Sequence, residues 1–134
     1  KQAIYNARII SKRNLIDFFR NNSNSIKTLI SASAIGIYEN ANCGDESAPN
    51  GKGFLAKVFR DWEEETFKAK ELSIPTVAFR IGMVSGFDGG AMGKILPLFK
   101  LGIGGNISNG NQWMCWIHVR DLAGLIVEAI DNPS

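Results

Sequence analysis

Histidine and cysteine are scarce in this chain, with one histidine and two cysteines in 134 residues. Cys43 and Cys115 form neither a C-x-x-C pair nor any zinc-ligand spacing, and two cysteines do not make a disulfide scaffold. No metal site is expected, and a reducing compartment, the cytoplasm, is. An excess of charge is lacking too. Lys and Arg total 15 against 13 Asp and Glu, and no basic run exceeds two residues. A net charge of +2 is too balanced for a protein that coats nucleic acid. No uncharged apolar stretch nears the ~20 residues that span a bilayer. No basic stretch followed by an apolar one opens the chain, so neither membrane nor secretion is expected.

What is present describes a globular α/β protein. Hydrophobic residues make up 45% and charged residues 21%, which argues against disorder. The length suits a single domain. Ten of the 14 glycines lie between Gly82 and Gly124, where loops must need positive φ or close backbone approach. The opening KQAIYNAR reads as helix interior and the closing DNPS as a helix exit, so a piece of a longer protein is expected.

Residues 2–20 carry an imperfect helical stripe, and 27–35 read as a buried strand ending in small residues. A loop follows over 39–51. Residues 53–72 are the clearest helix, with Phe54, Leu55, Val58, Phe59 and Trp62 predicted inward. Lys57, Arg60, Asp61, Glu64 and Glu65 fall on its polar face, and Trp62-Glu63 reads as core followed by solvated face. Pro75 ends the run and 76–84 form one buried strand. Ser85–Gly90 is a turn and Ala91–Leu101 a helix, with Pro97 at a kink or an early position. Gly102–Asn111 is a loop, Trp113–Val119 a short strand, and Asp121–Ile130 a final helix with Asp121 as its N-cap. This alternation predicts a parallel sheet, whose active residues gather at the carboxyl ends of strands.

Those ends hold the candidates. Ser33 closes the first strand with Tyr38 shortly after it, and their hydroxyls can bond a substrate oxygen or serve the backbone turn. His118 lies among Trp116, Ile117 and Val119, a setting that suits a packed histidine as well as a functional one. Arg80, in an apolar strand, needs an acceptor, structural or in a ligand. The stretch SGFDGGAMG lacks the G-x-G-x-x-G spacing of a dinucleotide fingerprint.

The ordered series SASAIGIY, FLAKVFRDWEEE and FRIGMVSGFDGGAMGKILPLFKLGIGGNISNGNQWMCWIHVRDLAGLI resembles the atypical short-chain dehydrogenase/reductase proteins of the NAD-dependent epimerase/dehydratase family. The resemblance covers nearly the whole chain. It implies a partial Rossmann-type, doubly wound parallel sheet over 1–134: the C-terminal half of the fold plus the start of the substrate lobe. The family's Gly-rich first half (G-x-x-G-x-x-G) and a C-terminal extension of the DUF1731 type are expected to be missing. By resemblance the protein uses NAD or NADP and acts as an epimerase, dehydratase or oxidoreductase on a nucleotide sugar. Ser33 and Tyr38 become the catalytic candidates. Arg8, Gly82 and Val84 become the cofactor contacts, and Gln112, Trp116 and His118 face the substrate. The family's catalytic Tyr and Lys positions hold Leu55 and Phe59, neither able to move a proton. That departure keeps a non-catalytic NAD(P)-binding sensor or interaction protein as the alternative. A parallel sheet lacking neighbours also predicts self-association through open strand edges.

Overall fold

The computed structural model describes residues 1–22, 25–38, 45–86, 90–106, 109–111 and 113–133. Helix α1 (Gln2–Asn22) leads into strand β1 (Leu29–Ala34), which closes in a 3-10 turn at Ile35–Ile37. Helix α2 (Phe54–Phe67) continues as a 3-10 turn through Leu72 and returns the chain to β2 (Thr76–Ile81). Ser73 makes the reversal in the left-handed region, φ 60°. Strand β3 (Met83–Ser85), helix α3 (Gly90–Lys100), strand β4 (Trp116–His118) and helix α4 (Val119–Asp131) follow. Of the expected loops, residues 39–44, 87–89 and 107–108 lie outside the described residues, as does Gln112.

All strand ladders among the described residues are parallel. β1 pairs with β2 from Leu29↔Thr76 to Ala34↔Ile81, and β3 with β4 from Met83↔Trp116 to Ser85↔His118. Parallel partners need a crossover, which α2 supplies between β1 and β2. The core gathers at the amino ends of this pair: Ile16 and Phe19 of α1 pack with Leu29, Ala69 and Ile74. The opposite, carboxyl ends are left for polar side chains.

Four expectations are corrected. The strand expected over 76–84 is two strands, broken at Gly82. A Cβ there would sit 2.5 Å from the Cys115 carbonyl oxygen, and that carbonyl accepts the Met83 amide at 2.9 Å. The chain thus changes partner where only glycine fits. Secondly, α2 is turned from its expected orientation. Leu55 is 56% exposed, whereas Glu63 and Glu65 are buried, because α2 packs against both α1 and the sheet and meets Arg13 of the one and Arg80 of the other. Thirdly, Pro97 does not take an early position in α3: it lies inside the helix, near its end. Lastly, α4 begins before Asp121: His118 is its N-cap, and its ring Nδ1 accepts the Arg120 amide at 3.2 Å.

Candidate active site

Strand β1 delivers Ser33 to the carboxyl end of the sheet, opposite Arg80 of β2 in register. The Ser33 hydroxyl donates to Glu63 Oε1 at 2.5 Å. Arg80 grips the same carboxylate in two-pronged fashion, Nη2 to Oε2 at 2.7 Å and Nε to Oε1 at 3.0 Å. That geometry is the strong, oriented form of an ion pair. The remaining prong, Nη1, donates to the Tyr38 hydroxyl at 2.6 Å and to the Glu46 carbonyl at 3.2 Å. Ser33, Glu63, Arg80 and Tyr38 are thereby one connected polar chain. Arg80's requirement for an acceptor is met by Glu63, within the fold.

Electrostatics follow from this pairing. Burial pushes the Glu63 carboxyl up, but hydrogen bonds from Arg80 and Ser33 outweigh it and hold it below the usual carboxylate range. Glu63 in turn raises Arg80 above its ordinary value. With Glu63 ionised, the single Ser33 proton is directed to it, so Ser33 offers lone pairs to a ligand. Tyr38 accepts from Arg80 and keeps its own proton for donation. The two hydroxyls are complementary, one an acceptor and one a donor.

The family's Tyr and Lys positions hold no substitute for proton transfer. Leu55 points to solvent, and the Phe59 ring lies against Gly36, where a Cβ would come within 2.9 Å of Cε2. Arg8 is exposed and lays its guanidinium over the Trp62 ring, 4.7 Å from the centroid. Among the described residues it has no carboxylate partner. Sequence reasoning missed Lys12, whose ammonium reaches Ser31 Oγ at 3.0 Å and which burial holds below its ordinary pKa. It also missed Glu63, which the search for an acceptor for Arg80 could have found.

Trp116 and His118, two residues apart on β4, instead line a cavity of about 380 Å3 along one face of the β3–β4 pair. Met83, Ser85 and Gly86, Met92 and Leu96 of α3, and Met114 complete its lining. Gly82 sits at the strand break, against Cys115, and Val84 pairs with Ile117 between β3 and β4. No group of three His, Cys, Asp or Glu among the described residues could hold a metal ion. None of their helices is long and apolar enough to cross a membrane.

Parallel strands joined through a helical crossover, with polar side chains at their carboxyl ends, define a Rossmann-type α/β protein. The chain is similar in sequence, along its full extent, to epimerase family proteins, and in fold to solved epimerase structures. Over its whole length it is 40% identical to the chloroplastic epimerase family protein SDR39U1 homolog of Arabidopsis thaliana, covering 40% of that protein. It is 36% identical to epimerase family protein YfhF of Bacillus subtilis, covering 45% of it. The crystal structure of a nucleoside-diphosphate sugar epimerase from Corynebacterium glutamicum matches 97% of the chain with a TM-score of 0.86 at 32% identity, over 28% of that chain. The human epimerase family protein SDR39U1 (isoform 2), solved with NADPH, matches 99% with a TM-score of 0.82 at 27% identity, over 47% of its chain. No protein-family model matches. The chain spans less than half the length of these two sequence relatives.

Proposed function

We propose that the protein containing this chain binds a nicotinamide dinucleotide, NADP or NAD, and is an epimerase-, dehydratase- or oxidoreductase-like protein of the cytoplasm. The observation that carries this reading is the likeness of 99% of the chain to a human protein solved with NADPH. The residues present fit one part of such a cofactor. Arg8 is an exposed guanidinium without a carboxylate partner among the described residues, suited to a phosphate or ribose, and Gly82 and Val84 offer backbone near the carboxyl strand ends. The Gly-rich phosphate turn is not in this sequence. When bound, the dinucleotide supplies hydride acceptance and return.

On this reading Tyr38 donates a hydrogen bond to the substrate oxygen and is the acid/base candidate, while Ser33 accepts from a substrate hydroxyl or donates after turning from Glu63. Gln112, Trp116 and His118 face the substrate. A nucleotide sugar is the substrate class that the name of the Corynebacterium neighbour brings to this chain. Titration of the full-length protein with NADPH and NADH tests the reading. Arg8→Ala is expected to weaken binding with the fold intact, and unchanged affinity would leave Arg8 a surface residue.

The alternative, a non-catalytic sensor, is favoured by Leu55 and Phe59, which leave no proton-transfer pair at those positions. NADPH binding without turnover of any sugar nucleotide would support it. Self-association of the isolated 134-residue chain is proposed from its uncovered apolar surface. No residue of α4 is buried, and Leu125, Val127 and Ile130 are exposed. A monomer in sedimentation at micromolar concentration would oppose this.

A further inference from the structure

We propose that the cavity between α3 and the β3–β4 pair binds a small, uncharged, largely apolar molecule bearing one hydroxyl or carbonyl group, and not a sugar diphosphate. The inference rests on the dinucleotide-binding part of the reading above, since it takes this cavity as the substrate space of such a protein, and it replaces the nucleotide sugar with a different substrate class. A volume of about 380 Å3 lies within the range of small-molecule sites. The cavity lies along one face of the β3–β4 pair, against α3, with Ser85 and His118 at the carboxyl end of that face.

The walls decide the class. Met83, Met92, Met114, Leu96 and Trp116 supply nearly all of them. No described lining residue is Lys or Arg, so a diphosphate would lose water with no cation to replace it, a large cost. Thioethers and an indole instead favour a flat, polarisable group. Methionines adapt to its outline, and sulfur–aromatic contacts add to the burial of apolar area. The polar groups are confined to the strand ends. Ser85 Oγ donates to the Ile117 carbonyl at 3.3 Å and so keeps lone pairs to accept from a ligand hydroxyl. His118, beside it in register, lines the same end. One polar substituent at that end, with an apolar body toward α3, matches this distribution.

The test uses the full-length protein titrated with 2-naphthol, an uncharged aromatic alcohol, with and without NADPH, and with UDP-glucose as competitor. Binding is followed by tryptophan fluorescence and calorimetry. The expected result is that 2-naphthol binds and that UDP-glucose does not displace it. Met114→Lys, at a position 48% exposed and so tolerant of charge, should weaken 2-naphthol by about tenfold or more while NADPH affinity is unchanged. Leu96→Asp repeats the test from the α3 wall. The proposal is overturned if 2-naphthol fails to bind, if its affinity survives both substitutions, or if UDP-glucose displaces it. Failure of NADPH to bind overturns the dinucleotide reading instead, and the titration without NADPH still decides the cavity.

Discussion

Ser33 and Glu63, thirty positions apart in the chain, meet at 2.5 Å. A serine closing a strand thereby acquires a fixed direction from a carboxylate on the crossover helix, and that carboxylate takes its own position from Arg80. The strand-end hydroxyls are oriented by a buried ion pair.

Breaking that pair should be costly, because the surviving partner is left charged and uncompensated. Arg80→Ala is expected to lower stability by about 2–3 kcal/mol, below the full cost of a deeply buried pair because the Arg80 side chain is 24% exposed. The denaturant midpoint of the full-length protein measures this. A change under ~0.5 kcal/mol would make the pair equivalent to a surface contact.

Acid should expose the same network. Burial opposes ionisation at Asp61, Glu63 and Glu65, yet the cations and hydroxyls around them prevail, and each carboxyl lies below its ordinary value. The folded protein therefore binds fewer protons than the unfolded chain in the acid range. Their stabilisation is complete above 4.5 for Glu and 3.8 for Asp and is lost as pH falls through these values toward the lowered ones. Melting temperature followed from neutral pH downward should decline there, and Glu63→Gln should flatten part of the slope.

Gly82→Ala should disrupt the strand break. The added methyl would meet a backbone carbonyl at 2.5 Å, an atom no rotamer change can move. A loss of about 1–3 kcal/mol is expected, read in thermal melts against Gly53→Ala, where nothing lies within 4 Å.

Turnover separates the roles of the two hydroxyls. If the full-length protein is catalytic, Tyr38→Phe should remove the donor and cut kcat by ~10²-fold while leaving the ring beside Arg80. Ser33→Ala should act mainly through loss of the acceptor and of orientation. If both variants match the parent on a substrate that it converts, both hydroxyls are structural.

Much of this was legible in local pattern. The α1 stripe, the strand ending at Ser33 and Ala34, and the parallel α/β alternation rest on periodicities of a few residues. What escaped depends on distant partners. Glu63 reads as surface until Arg80 is placed beside it. The break at Gly82 comes from Cys115, which no window around residue 82 contains. Asp121 is an ordinary helix-capping residue type, but β4 runs into α4 without a loop, so the cap falls to His118. Leu55 and Phe59 were legible only as departures, and how far each is buried needed the helix's rotation.

The run from Thr76 to Ser85 also works by parity. The Arg80 side chain reaches Glu63 of α2, the 79–82 segment borders a hollow with Leu122 and Leu125 of α4, and Met83 and Ser85 line the larger cavity while Val84 does not. Side chains alternate faces along extended chain, so the count of residues, more than their identity, assigns each to its neighbour. Deleting one residue at the break would exchange the two faces of everything beyond it, sending Val84 toward the cavity and Ser85 away. Gly82 is in this sense a spacer whose length of one is itself a specification.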